Sequence, residues 1–337
     1  MPPAVLITSA SRKVALVRAF REALATVAGG GRVVAVDISP LAPALYEADV
    51  ARLVPGSDDP AFVPSLLELC AAENVRLVVP TRDEELPVLA AARARFAVAG
   101  ILVLVPDADV VATCQDKRRF AAACVTAGLA TPRIVTSPTA ADLPLFVRPV
   151  TGKGGRGARV VRTPVELAAA VEELGDRALW QELVEATEIT VDAFIAPDGT
   201  PITCVPRERL LVVAGESHIG RTVRDDTVRD ATLRLAAALR LTGHVTVQAF
   251  RRGDEVLFVE VNPRYGGGAA LGFASGAFTP ELAVRVALGE TLAPRLEAYE
   301  VGLVMLRHSE DLFLREDELL PRRPSSDLTV VRRQEPP

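Results

Sequence analysis

A chain of 337 residues has room for about two or three domains, and 49% hydrophobic against 24% charged residues is the balance of a soluble globular protein. The formal net charge is −5, with basic residues scattered, which argues against the basic stripe of a nucleic-acid binder. No apolar run reaches the about 18 residues of a membrane span. The opening "MPPAVLITSASRK" puts its basic residues after the apolar segment, the wrong order for a secretory signal. Cys70, Cys114, Cys124 and Cys204 are dispersed, with no C-x-x-C pair, so neither a structural zinc site nor a catalytic cysteine is expected. The expected setting is cytoplasmic, without membrane or nucleic-acid partners.

In chain order, "AVLITSA" (4–10) reads as a buried strand and 12–27 as a helix with apolar residues at Val14, Leu16, Val17, Phe20 and Leu24. Strands follow at 32–39, 51–55, 76–80 and 101–106, with helices near 60–73 and 83–96. Strands alternating with helices predict a parallel α/β sheet, whose ligands bind beyond the carboxyl ends of the strands. The segments there are "TSASR", "DISP" and "PTRDEE". After a helix near 116–127 the pattern changes to short strands with glycine-rich turns. Asp198-Gly199 marks a hairpin, a helix spans 227–240, and strands at 244–250 and 255–261 flank the turn "RRGD". This half reads as α+β and mostly antiparallel. The polar, proline-rich stretch after 320 reads as a loosely attached tail.

Three stretches carry candidate chemistry. In "VLFVEVNPRYGGG" (256–268), Glu260 and Asn262 share one strand face, roughly 6–7 Å apart, with Phe258 continuing that face inward. A hairpin at 251–254 brings Gln248 close to Glu260. One carboxylate and two amides suit a hard cation such as Mg²⁺; a solvated strand end is the plain alternative. "FVRPVTGKGGRG" contains G-x-G-x-x-G, but "ARVVRTP" then reads as a strand closed by a proline, where a dinucleotide fingerprint needs a helix. What remains is a glycine hairpin with Arg148 and Lys153, suited to phosphate or simply flexible. In "ALWQELVEATEITVDAF", Gln181, Glu182 and Val184 precede a break and Glu188 leads the next strand, a connection that suits an adenine edge and ribose hydroxyls.

Together, "QDKRRF" with "GLATP", "VRPVTGKGGRG", "QELVEATEITVD" and "VQAF…FVEVNPRYGGG" resemble, in family order and over roughly residues 1–310, the ATP-grasp superfamily. They look most like the ATP-grasp domains of the carbamoyl-phosphate synthetase large chain and related ligases. The resemblance implies an N-terminal parallel-sheet pre-ATP-grasp domain (1–108). A two-part ATP-grasp fold with nucleotide between antiparallel sheets would follow: a small subdomain with a glycine-rich lid (109–184), a large one with the metal site (185–320), then the tail (321–337). Lys117 and Arg148 match the phosphate-contacting positions, and Lys153, Gly154 and Gly155 the mobile loop. Gln181, Glu182 and Val184 match the adenine-holding segment and Glu188 the ribose carboxylate. Gln248, Glu260 and Asn262 match ligands for two Mg²⁺ ions, with Mn²⁺ as an alternative, and Arg264 matches the clamp on the transferred phosphoryl group. Arg264 and Lys153 are the residues implied in catalysis.

The implied chemistry is ADP-forming ligation: ATP phosphorylates a small-molecule or peptide carboxylate, and an amine or other nucleophile displaces phosphate. A homodimer is compatible with the resemblance. Substrate candidates are Thr81 and Asp83 after a parallel strand, Arg207, Arg209, His218 and Arg221 in "PRERLLVVAGESHIGRTV", and Gly267 in a turn expected to form an anion-binding wall; helix capping, solvated arginines and an ordinary glycine turn are the bland alternatives. Carbamate or carboxyphosphate chemistry is a second enzymatic reading, and a catalytically silent nucleotide-binding regulator a reading of another class. A dinucleotide oxidoreductase is disfavoured because "TSASRK" has no glycine.

Overall fold

A computed structural model describes residues 2–152, 155–213, 215–321 and 331–332. In chain order the elements begin with β1 (Ala4–Thr8), α1 (Val14–Ala28), β2 (Arg32–Asp37), α2 (Pro43–Glu47), β3 (Val50–Leu53), α3 (Phe62–Glu73), β4 (Val75–Pro80), α4 (Leu86–Val98) and β5 (Leu102–Val103). Then come α5 (Ala108–Gln115), α6 (Lys117–Thr126), β6 (Leu145–Pro149), β7 (Arg159–Val161), α7 (Pro164–Leu174) and β8 (Ala178–Glu182). The rest are β9 (Thr187–Ile195), β10 (Pro201–Val213), β11 (Glu216–Thr222), α8 (Asp226–Leu239), β12 (Gly243–Arg252), β13 (Glu255–Asn262), α9 (Ala269–Ala274), α10 (Thr279–Ala287), β14 (Val304–Leu306) and β15 (Val331–Arg332).

Three sheets result. The first has order β15-β3-β2-β1-β4-β5 and is parallel apart from the antiparallel β15. Helices pack on both faces because β1, β2 and β4 are buried along nearly their whole length, with Leu6, Val34, Val36 and Val78 toward one core and Ile7, Val33, Ala35 and Val79 toward the other. The second sheet, β13-β12-β9-β10-β11-β14, is antiparallel, and a three-stranded sheet, β7-β6-β8, lies beside it. Asp198-Gly199 lies between β9 and β10, with Gly199 at φ 88° as its turn requires.

Some expectations shift. The strand expected at 101–106 pairs over Leu102–Val103. The proline of "VVRTP" opens a helix: Thr163 and Glu166 form a capping box and Pro164 stands in the first turn of α7. Most of the expected tail lies outside the described residues. No helix among the described residues is long and apolar enough to cross a membrane.

Phe258 does not continue the face of Glu260. Gln248 pairs with Glu260 and Ala249 with Phe258, which leaves Val259 as a bulge residue on β13. The bulge sends Phe258 into the core with Val247, Ala249 and Leu235, while Val259 and Glu260 both reach the opposite side.

Arg207 is no surface arginine. It is buried, and its Nε donates to Asp192 Oδ2 at 2.8 Å, diagonally across β9 and β10. Thr246 donates to Asp192 Oδ1 at 3.0 Å, and the buried His244 ring stacks on Tyr265 at 4.1 Å. Burial by itself pushes the Asp192 carboxyl up, yet Arg207 and His244 hold it below its ordinary value; burial pushes His244 down to about 4. The glycine turn packs against this network. A Cβ on Gly266 would come within 2.7 Å of Thr246 Oγ1, and one on Gly268 within 2.7 Å of the Arg207 guanidinium. Two of the three glycines therefore serve close packing.

Two predictions follow from these buried charges. Asp192→Ala strands the Arg207 charge and should cost about 3–5 kcal/mol, read as a lower urea midpoint at unchanged slope. Glu85 is buried beneath β1, accepting hydrogen bonds from Thr8 (2.8 Å) and Ser9 (2.5 Å). Burial raises its pKa above the ordinary 4.5 although both hydroxyls oppose the shift. The stability this group contributes is therefore complete below 4.5 and lost as pH rises through the folded value. Glu85→Gln should unfold at higher urea than the parent at pH 7, with the difference vanishing below pH 4.5.

Candidate functional site

The three-stranded sheet and the pocket-side face of the second sheet enclose a cavity of about 410 Å³. Phe146 and Val160, paired across β6 and β7, form one apolar wall, and Phe250, two residues beyond Gln248, contributes to the other. Gln181, Glu182, Leu183 and Val184 line it where the chain crosses from β8 to β9. Gly152, Gly155 and Arg156 line the side of the glycine loop. β6 and β7 pair antiparallel on either side of that loop, so it is a hairpin and no dinucleotide turn. Gly157, at φ 74° and tight against Pro149, closes it.

The charged residues cluster at one end. Lys117 opens α6, behind the cap that Asp116 supplies to the N–H groups of Arg118 and Arg119, and its Nζ donates to Gly152 O at 2.9 Å. Arg148 leans from β6 across the cavity: its guanidinium donates to the bulge carbonyl of Val259 at 3.1 Å and lies 3.7 Å from Glu260. Its Nε is buried with no hydrogen-bond partner among the described residues. Burial pushes the pKa of both cations down, and Glu260 pulls each back up. Two partly desolvated cations with donor capacity to spare make an anion site. Glu188 accepts from Arg209 at 2.6 Å, and both line the cavity.

Gln248, Glu260 and Asn262 meet as the hairpin required. Gln248 stands opposite Glu260, and Asn262 Nδ2 donates to Glu260 Oε1 at 3.3 Å. Among the described residues no group of three or more His, Cys, Asp or Glu converges. One carboxylate with two amide oxygens fits a hard cation that takes its other ligands from phosphate and water.

The remaining candidates scatter. Arg264 forks onto Asp83, both contacts 2.7 Å, next to the cavity rather than in its lining. Thr81 is buried and donates to Ser9 O at 2.7 Å, so it caps no helix and meets no solvent. Arg207 lies in the core described above. Arg221 pairs with Glu208 at 2.5 Å on an exposed face, and His218 sits at a register break between β10 and β11, outside the lining. Gly267 offers its carbonyl to Arg307. Lys153 and Gly154 lie outside the described residues. Sequence reasoning passed over Phe146, Val160 and Phe250; i±2 spacing from Arg148 and Gln248 was the available signal for the two phenylalanines, whereas Val160 is found only through its pairing with Phe146.

Residues 5–104 match the family described as PylC-like, N-terminal domain, and residues 176–306 the family described as ATP-grasp in the biosynthetic pathway with Ter operon. The carbamoyl phosphate synthase large chain of Thermus thermophilus is 32% identical over 222 residues, covering 58% of this chain and 21% of that one. Its Vibrio cholerae counterpart is 27% identical over 258 residues, covering 69% and 24%. This chain thus spans between a fifth and a quarter of the length of these relatives. Among solved structures, a biotin carboxylase from Campylobacter jejuni superposes with TM-score 0.69 at 17% identity, covering 89% of this chain and 74% of that one. N5-carboxyaminoimidazole ribonucleotide synthetase from Thermus thermophilus gives TM-score 0.65 at 22% identity, covering 87% and 80%. The motif order, the sheet architecture and both family matches agree: residues 5–104 match a PylC-like N-terminal domain, and residues 176–306 match an ATP-grasp module that resembles those of the carbamoyl-phosphate synthetase large chain.

Proposed function

We propose that the protein is an ATP-dependent, ADP-forming ligase that activates a small-molecule carboxylate and passes it to an amine or another nucleophile. The observation that carries this reading is the meeting of Lys117, Arg148, Gln248 and Glu260 in one cavity with apolar walls, with Asn262 hydrogen-bonded to Glu260 beside it. In this reading adenine lies between Phe146 and Val160 on one side and Phe250 on the other, its edge against the backbone of 182–184, with Glu188 on the ribose. Lys117 exchanges the Gly152 carbonyl for phosphate oxygen, and the unpartnered Arg148 Nε gains an acceptor.

Two Mg²⁺ ions would be held by Glu260, Gln248 and Asn262, and would neutralise charge on the phosphoryl oxygens. The substrate carboxylate oxygen attacks the γ-phosphorus, the bond to the bridging oxygen breaks, and ADP leaves with an acyl-phosphate formed. The amine then adds at the acyl carbon, phosphate departs, and the amine proton goes to solvent or to phosphate. Arg264 steadies the acyl-phosphate, releasing Asp83 to accept a hydrogen bond from the neutral amine and orient it.

A carboxyphosphate-type reaction is the second reading, since the curated relatives are carbamoyl phosphate synthase large chains. The same assay separates the two. Protein with ATP and Mg²⁺, screened against pooled carboxylic acids, amino acids and bicarbonate, should release ADP and phosphate with one of the acid pools. Glu260→Ala should lower that rate by about 10²-fold or more. ADP release with bicarbonate alone would select the second reading, and nucleotide binding without turnover on any pool would sink both.

A further inference from the structure

Of the 38 basic residues in the chain, 35 are arginine and three are lysine: Lys13, Lys117 and Lys153. On a solvated surface the two carry the same charge, and this sequence has settled on arginine almost throughout. Lysine remains where a compact ammonium with three rotatable donors does what a planar fork does not. The ligase reading already assigns Lys117 and Lys153 to the nucleotide phosphates. Lys13 has none.

Lys13 lies in the loop that leaves the carboxyl end of β1, immediately before α1. The loop is built against local preference. Ser9 and Ser11 take φ of 45° and 46°, a region costly for residues with a Cβ. It is pinned by Thr81 to Ser9 O, by Ser9 to Glu85, and by Ser11 N to Asp37. α1 starts with no side-chain cap and no acidic residue in its first turn.

The charges around Lys13 do not balance. Its ammonium lies in the field of Arg264, Arg307, Asp83 and Glu216. Both carboxylates are engaged: Asp83 by the Arg264 fork at 2.7 Å, Glu216 by Arg307 at 2.5 Å. Among the described residues no hydrogen bond or ion pair reaches the Lys13 ammonium, and its side chain is partly buried. Burial first, then Arg264, pushes its pKa below the ordinary lysine value. Such a cation calls for an incoming anion at the carboxyl end of β1.

We propose that Lys13, with Arg307 beside it, binds a carboxylate of the non-nucleotide substrate at the carboxyl end of β1. This rests on the ligase reading and deepens it: the substrate is an acid recognised jointly by the loop after β1 and the segment that follows β14. A cation in this place also selects against amides and esters of the same acid, because a neutral group leaves the ammonium unpaired.

The three-lysine composition supplies a test that does not depend on turnover. The whole protein is labelled briefly with acetic anhydride and each lysine is followed by mass spectrometry. The additions are Mg²⁺ with a non-hydrolysable ATP analogue, a pool of small carboxylic acids (succinate, L-glutamate, L-aspartate, citrate), and the corresponding pool of amides. The acid pool should protect Lys13 about tenfold when a binding member stands at ten times its dissociation constant, whereas the amides should not. Equal labelling of Lys13 in every mixture, or protection by the nucleotide analogue alone, overturns the assignment. Protection of Lys117 and Lys153 by the analogue is scored separately and bears on the nucleotide reading. With the protecting acid as substrate, Lys13→Met should raise its KM about 10- to 100-fold at unchanged KM for ATP, with Lys13→Arg restoring part of the loss. A fall in kcat with both KM values unchanged would contradict a carboxylate-binding role.

Discussion

The Arg148 guanidinium ties the small sheet to the large one. It starts on β6, crosses the cavity, and ends on the carbonyl that the β13 bulge turns outward at Val259, next to Glu260. A buried guanidinium is tolerated only with partners, and this one reaches two across the cavity while keeping Nε unmatched. The bulge makes this possible. It places consecutive residues, Val259 and Glu260, on the pocket side while Phe258 and Val261 stay in the core. Spacing between the sheets, the position of the Glu260 carboxylate and the orientation of Arg148 therefore depend on one local irregularity.

Beneath the site lies a rigid base. Asp192, Arg207 and Thr246 form a buried polar network in the sheet, with His244 stacked on Tyr265 beside it. The turn after β13 rests on this network with glycine where any side chain would collide with Thr246 or Arg207. That close seating fixes the backbone just after Arg264, whose fork on Asp83 joins the N-terminal sheet to the second half of the chain. A buried network of this kind contributes little net stability but defines a single geometry, which suits a residue that must be held in place.

Much of the fold was legible because periodicity is a local property. Buried strands alternating with helices, the Asp198-Gly199 hairpin and the Gln248–Glu260 pairing all follow from spacing within a few residues. The side chain of Phe258 was misplaced because strict alternation has no means of announcing a bulge. Arg207 looked like a surface arginine because its partner Asp192 lies on another strand, two positions off register. The helix after Thr163 was legible in "TPVE" as a capping box with proline at its start, and was missed because proline was read as a stop. Lys13 illustrates a different limit: its rarity is visible in the composition, but its unpaired charge appears only once Arg264 and Arg307 are brought beside it.

The central claim is that the cleft bridged by Arg148 holds the nucleotide. Trp180, the one tryptophan in the chain, lies on β8 paired with Val147, next to Arg148 and one residue before Gln181 of the cavity wall. The most direct measurement is energy transfer from Trp180 to an N-methylanthraniloyl-labelled ATP in the presence of Mg²⁺. A nucleotide held in this cleft should strongly quench Trp180, with unlabelled ATP reversing the quenching and Arg148→Ala greatly weakening it. Absence of transfer, or transfer that ATP cannot compete away, would contradict it.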